Sequence, residues 1–318
     1  MKLKRNNSLI IILIVILLFS LPIFIQSKHI RYVIILFMIN AILASNWDLT
    51  LGYLGSFNFA HITFFLLGSY AAGVSSTYFN LSPWFGIIIA VLVAALASVL
   101  ISLPALRIKG FYVILLTFAF NEICKYIIMG LREYTGGSMG LISIPKLKIG
   151  SYSFSQNNDL GYLYFVGLLL IVSTVFLKSL VNSDFGKKIL ALKDSENYAT
   201  SRGIYFGKYL ISTFVISAIF TGIAGAVYSY YFGAISPELF GFNFLSLPLA
   251  MVLFGGVGTI YGPIIGAFCF TVISEYFIGL GSLRYIIVAL TIILILKFYP
   301  NGLWSGIRRI IKSDRFHY

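Results

Sequence analysis

Trp84 to Leu103 reads WFGIIIAVLVAALASVLISL, twenty residues without one charged side chain. A helix needs about 20 mostly apolar residues to cross ~30 Å of hydrocarbon, and this run supplies them. It is continuous, unlike the ~10-residue alternating segments of a membrane barrel. Comparable runs recur on both sides, at approximately 8–26, 32–50, 59–79, 111–129, 160–181, 209–232, 245–258, 260–278 and 283–300. The expected fold is all-α, a polytopic membrane bundle of about ten transmembrane helices, forming a single membrane domain over residues 1–318.

Composition agrees with that reading. Hydrophobic residues make up 59% of the chain, charged residues 10%, and mean hydropathy is +0.95. Average soluble domains carry roughly 25% charge. The net charge of +13 could suggest nucleic acid, but its placement argues otherwise. With the N-terminus inside, 16 Lys and Arg fall on the cytoplasmic side and 6 outside, with Lys125 within a span. That bias is the positive-inside rule. It places both termini in the cytoplasm of a multi-pass protein of the plasma (inner) membrane. The first run follows Lys2, Lys4 and Arg5, yet Leu9 to Ile25 is too long for a signal h-region, so an uncleaved helix is expected. Cys124 and Cys269 fall within spans and imply no disulfide framework.

Two connections stand out by length. Gly130 to Asp159 holds Gly136-Gly137-Ser138 and is expected outside; Asn182 to Lys208 is expected in the cytoplasm. An internal echo joins Phe57-Asn58-Phe59, opening the third span, to Phe242-Asn243-Phe244, opening the eighth. The spans would then divide into two inverted halves of five, with a transport path at their interface.

Few side chains within the spans can carry chemistry. Asp48, Asn58, His61, Glu122 and Glu275 are the polar candidates for lining a path, since intramembrane carboxylates usually face a bundle interior or cavity. The blander reading of Glu122 is a helix contact with Lys125, and of His61 a hydrogen-bonded packing residue. No second ligand stands at metal spacing near His61, which argues against a metal site. The glycine-rich stretch Gly255-Gly256-x-Gly258-Thr259 lacks the Lys-Ser/Thr ending of a phosphate loop. A tight inter-helix turn is the expectation there. With no nucleotide-binding motif of its own, the chain must take energy from an ion gradient or from a separate ATPase.

The polar stretch 182–208 favours the ATPase. Asp184-Phe185-Gly186-Lys187-Lys188-Ile189-Leu190-Ala191-Leu192-Lys193-Asp194-Ser195-Glu196-Asn197 reads as a short amphipathic helix that Asp184 can cap. Ile189, Leu190, Leu192 and Ala199 offer an apolar side, while Lys187, Lys188, Lys193 and Glu196 stay solvated. A helix resting on anionic lipid is the plainer alternative.

Several segments together resemble the permease subunits of branched-chain amino-acid ABC importers, of the inner-membrane type. They are Gly52-Tyr53-x-Gly55 leading to His61, Leu106-Arg107-x-Lys109-Gly110, Thr117-x-Ala119-Phe120-x-Glu122, Thr135-Gly136-Gly137-Ser138, Ser183-x-Phe185-Gly186-Lys187 with Gly203-Ile204, Ile235-Ser236-Pro237-Glu238 and Gly262-Pro263. Asn121 and Met139 depart from the pattern. The resemblance implies a non-catalytic transport subunit translocating branched-chain amino acids, or a related small amino acid or amide. Two P-loop ATPase subunits that bind ATP and Mg, a second permease and an extracytoplasmic substrate-binding protein would be its partners. The chain itself would bind no cofactor. Asp184, Phe185, Gly186, Lys187, Lys188, Lys193, Glu196 and Gly203 would couple to the ATPase, and the external loop at Gly136 to Ser138 would meet the binding protein. An ion-coupled transporter using Glu122 or Glu275 stays open as an alternative. A membrane enzyme lacks its nucleophile or metal cluster.

Overall fold

The computed structural model describes residues 27–281 and, beyond them, residues 283, 286, 289–291, 297 and 302–305. The expected span at 8–26 lies outside the described residues, as does most of 283–300. The described chain forms α1 (Lys28–Asp48), continued by a π-helical turn (Leu49–Tyr53), then α2 (Ala60–Thr77), α3 (Pro83–Ala105) and α4 (Phe111–Gly130). Next come α5 (Gln156–Asn182), α6 (Asp184–Asp194), α7 (Glu196–Ser201), α8 (Phe206–Phe232), α9 (Phe242–Gly255) and α10 (Gly262–Tyr276). Five of these are long and apolar enough to cross a membrane: α1 with its π turn, α3, α4, α5 and α8. The chain is a polytopic helical membrane protein.

Local sequence explains several boundaries. Pro83 opens α3, where its fixed φ suits the first turn and its missing N–H costs nothing. Asn157, Asn158 and Asp159 sit at left-handed φ of 50°, 58° and 63°, so regular α5 geometry begins at 160, where the hydrophobic run begins. Asn and Asp tolerate that region best among residues with a side chain. The Arg31 guanidinium donates to the carbonyl of Asn158 at 3.2 Å, tying the start of α1 to this turn.

Helix α2 is the most enclosed of the longer helices. His61, Thr63, Ser69, Ser75 and Ser76 are all buried in it. Protein surrounds it on nearly every side, so small and polar residues serve close packing and interhelical hydrogen bonds there. Helices α3 and α8 pack on α2, while α9 and α10 pack on α1. In each half, one long helix of the other half therefore crosses a consecutive pair. That reciprocal exchange suits two related halves. The Phe-Asn-Phe echo keeps its position before or at the start of α2 and α9, but Asn58 is buried and Asn243 is exposed.

Helices α9 and α10 have 14 and 15 residues, and at 1.5 Å per residue they reach only about 21–23 Å. The turn before α9 (Pro237–Phe240) enters the bundle instead of lying on it. Phe240 is fully buried, and the amide of Asn121, in the middle of α4, donates to its carbonyl at 2.9 Å. Thr63 donates to the other end of the same amide at 3.0 Å. One side chain thus joins α2, α4 and the inserted turn. Asn121→Ala would leave the Phe240 carbonyl and the Thr63 hydroxyl without that partner, an expected loss of about 1–3 kcal/mol. Thermal unfolding in detergent measures it, and a variant melting with the wild type would refute the bridge.

Candidate functional site

The segment after α5 departs from the single helix expected of it. Ser195 takes extended backbone (φ −159°, ψ 103°) and separates α6 from α7. Its hydroxyl accepts the N–H of Tyr198 at 3.4 Å, the local bond by which serine competes with helix continuation. Asp184 is not the cap either: Ser183 occupies that position and Asp184 falls in the first turn. There it accepts a hydrogen bond from Lys187 at 2.9 Å, which holds its carboxyl below the usual carboxylate range. Its charge still lies at the positive end of the helix dipole.

The apolar side is much as expected. Ile189, Leu192 and Ala199 are buried, Leu190 is half-buried, and Phe185 packs its ring 5.4 Å from Tyr209. Gly186 is required for proximity, since a Cβ there would lie 2.0 Å from the Val181 carbonyl oxygen. Gly203 adopts a left-handed φ of 82° at the end of the segment, in open space. Two of the expected solvated residues, Lys193 exposed and Glu196 partly so, also reach partners on other elements. Lys193 donates to the Gly52 carbonyl at 2.6 Å, and Glu196 pairs with Lys109 of the α3–α4 turn at 2.7 Å. They anchor the segment to its own bundle. Lys187 and Lys188 remain outward, joined by exposed Tyr198 with Arg202 5.4 Å from its ring. Hydropathy alone did not single out Tyr198.

Behind the anchor lies a knot of buried polar groups. Asp48 is 1% exposed, and its carboxylate accepts the N–H groups of Gly258 at 2.8 Å and Thr259 at 3.1 Å. The Thr259 hydroxyl donates to the Gly256 carbonyl at 2.7 Å. The glycine-rich stretch is therefore the turn between α9 and α10, and its N–H groups serve the chain's own carboxylate. Gly52 permits the contact, because a Cβ there would stand 2.2 Å from Asp48 Oδ1 and 2.3 Å from the Gly258 nitrogen. Lys193, the π turn, Asp48 and the α9–α10 turn thus form one bonded series.

The other path candidates separate. His61 is fully buried, with Nδ1 3.1 Å from Asn58 Oδ1, Nε2 3.0 Å from Ser217 Oγ, and its ring stacked on Trp47. Asn58 also donates to Thr50 at 3.1 Å. Both are saturated inside the packing around α2. Glu122 lies 3.8 Å from Lys125 on half-exposed α4, the pairing that its sequence spacing allowed. Glu275 lines an open cavity of about 520 Å³, bounded by α1, α8, α9, α10 and the inserted turn. Gly136 to Ser138 sit in a tight loop pinned to the stretch before that turn: Leu141 and Ile235 exchange both backbone hydrogen bonds at 2.8 Å. A Cβ on Gly140 would meet the Ile235 carbonyl at 2.1 Å, and Met139 projects outward. Among the described residues no cluster of His, Cys, Asp or Glu could hold a metal ion.

A family model described as branched-chain amino acid transport system / permease component matches residues 29–296. The chain is 29% identical to the high-affinity branched-chain amino acid transport system permease protein LivM of Escherichia coli, over 88% of this chain and 69% of that protein. It is 27% identical to a probable branched-chain amino acid transport permease LivM of Methanocaldococcus jannaschii, over 75% of each. Similarity at 22% identity extends to the permease protein BraD of Pseudomonas aeruginosa, over 83% of this chain and 90% of that one. No solved structure matches the chain.

Proposed function

The chain belongs to the family of branched-chain amino acid transport permease components, and from that premise we propose that it forms one membrane half of an ATP-driven importer of those amino acids. The ion-coupled alternative finds no support among the relatives. In this reading a second permease completes the path, two P-loop ATPases bind and hydrolyse ATP with Mg, and an extracytoplasmic binding protein delivers substrate. Both termini and 182–208 face the cytoplasm. The 131–155 connection, with Gly136 to Ser138, faces the binding protein.

The observation carrying the proposal is the mounting of α6 and α7. Lys193 and Glu196 bond at the surface to Gly52 and to Lys109 of neighbouring elements, so movement of this segment is passed to the bundle instead of being lost in a slack loop. Lys187, Lys188, Tyr198 and Arg202 are exposed along the segment, with Arg202 5.4 Å from the Tyr198 ring. Charged and aromatic groups of that kind anchor protein interfaces. Closure of the ATPases would draw the segment inward, and the bonded series through Gly52 and Asp48 would carry that displacement to the α9–α10 turn.

The decisive experiment is co-purification with candidate P-loop ATPase subunits. A variant with Lys187→Glu, Lys188→Glu and Arg202→Glu is expected to reach the membrane at normal levels and to lose the ATPase. An ATPase retained as by the wild type would refute the docking face. No ATPase bound by the wild type would refute the importer reading itself.

A further inference from the structure

The cavity beside Glu275 combines three chemistries in one space. Glu238 and Glu275 contribute carboxylates, and among the described residues neither has an ion-pair partner. Asn40 and Asn243 contribute amides, while Thr271 and Ser274 contribute hydroxyls. Leu36, Leu247, Met251 and Phe270 supply an apolar wall. No lysine or arginine occurs among the described lining residues, which disfavours a ligand of net negative charge.

Depth matters as much as composition. Asn40 is near the middle of α1 and Thr271 lies buried within α10, while Glu238 and Asn243 are exposed. The cavity floor is thus well inside the bundle, beside a helix that starts partway through. Polar groups at such a depth are costly unless they face water or a ligand. The Asn40 amide reaches Thr271 at a long 3.4 Å, leaving most of its bonding capacity unused by that contact. The cavity volume of about 520 Å³ exceeds the needs of one small amino acid and lies within the ~300–1,000 Å³ range of ligand sites.

We infer that this cavity is a binding station for a zwitterionic amino acid with an apolar side chain. The ammonium group is held by Glu275 and Glu238, the α-carboxylate by the amides of Asn40 and Asn243 in the first turn of α9, and the side chain by the wall of Leu36, Leu247 and Met251. Charge-assisted bonds to the ammonium supply the strongest contacts. The assignment rests on the transport reading, and deepens it by naming the groups in this chain that meet the substrate.

A hydrophobic carbodiimide tests the station without any ATPase, so it stands or falls separately from the docking face. The full-length chain in lipid nanodiscs is treated with dicyclohexylcarbodiimide, and adducts on Glu238 and Glu275 are located by mass spectrometry. With L-leucine at about ten times its dissociation constant, modification at Glu275 is expected to slow about tenfold, by simple occupancy. 4-Methylpentanoate, which keeps the side chain and carboxylate but lacks the ammonium, should protect far less. Unchanged labelling in saturating leucine would overturn the inference, as would equal protection by 4-methylpentanoate. In cells carrying the whole transport system, Glu275→Gln should lower maximal leucine uptake about tenfold, with Glu275→Asp retaining most of it. Uptake by Glu275→Gln at the wild-type rate would also overturn it.

Discussion

Asp48→Ala is expected to cost about 2–6 kcal/mol of bundle stability, because it leaves two backbone N–H groups without their acceptor, at about 1–3 kcal/mol each. Asp48 itself is 1% exposed and holds Gly258 and Thr259 at 2.8 and 3.1 Å. Without the carboxylate, two backbone N–H groups of the α9–α10 turn lose their acceptor. Asp48→Asn separates shape from charge. One oxygen can still accept, but the new NH₂ group must face a backbone N–H, donor against donor. The expected order of thermal stability in detergent is wild type, then Asn, then Ala. Lys193→Met is the contrast, since Lys193 meets the Gly52 carbonyl from the edge of the bundle and leaves the Asp48 contacts in place. It should spare bundle stability and lower uptake per ATP hydrolysed. Equal melting of Asp48→Ala and wild type would mean that the knot does not hold the turn. Normal uptake per ATP in Lys193→Met would mean that Lys193 is no part of a lever.

The parts legible in the sequence were those set by local rules. Apolar runs placed α2 to α5 and α8 within a few residues, because the backbone in hydrocarbon must close its hydrogen bonds within each helix. The start of the apolar run at 160 was readable, and the structure places the left-handed residues Asn157, Asn158 and Asp159 just before it. The apolar side of α6 followed from helical spacing. What stayed hidden depends on contacts between distant residues. Asp48 and Gly258 are 210 positions apart, and no periodicity links them. Asn121 looked like a departure from a family pattern until Thr63 and Phe240 stood on either side of it. Ser195 ended a helix that hydropathy continued. Lys193 and Glu196 looked solvated because charge on an amphipathic helix is normally read as its outer face. Lys193 is exposed and Glu196 partly so, but each also has a partner on another element, Gly52 and Lys109, whose position only the packed bundle defines.

Gly225→Val is expected to prevent correct packing of α8 on α2, whereas Gly130→Ala should leave the protein unchanged. A Cβ at Gly225 would stand 1.9 Å from the Phe65 carbonyl oxygen and 2.9 Å from the Ser69 hydroxyl. One turn earlier on α8, a Cβ added to Gly222 would stand 2.6 Å from the Ala94 Cβ of α3, and one added to Gly68 of α2 would stand 2.7 Å from the Gly222 carbonyl oxygen. Three helices therefore touch backbone to backbone through their small residues. Close approach of this kind is the main source of helix association in a bilayer, where apolar burial between helices gains little over lipid. The Ser69 hydroxyl, 2.7 Å from the Gly225 carbonyl, adds a hydrogen bond that only that approach allows. Even Gly225→Ala needs the helices to separate by more than a side chain can absorb, because the nearest atom is backbone. Overpacking typically costs about 1–3 kcal/mol when side chains can adjust, and here the valine should exceed that range. At the end of α4, a methyl group added to Gly130 would meet nothing within 4 Å, so alanine fits there without a clash. Size-exclusion profiles and melting temperatures in detergent read both variants. If Gly225→Ala and Gly130→Ala melted alike, the α2–α8 contact would be looser than these distances require, and a displacement at α6 could not pass rigidly through the bundle.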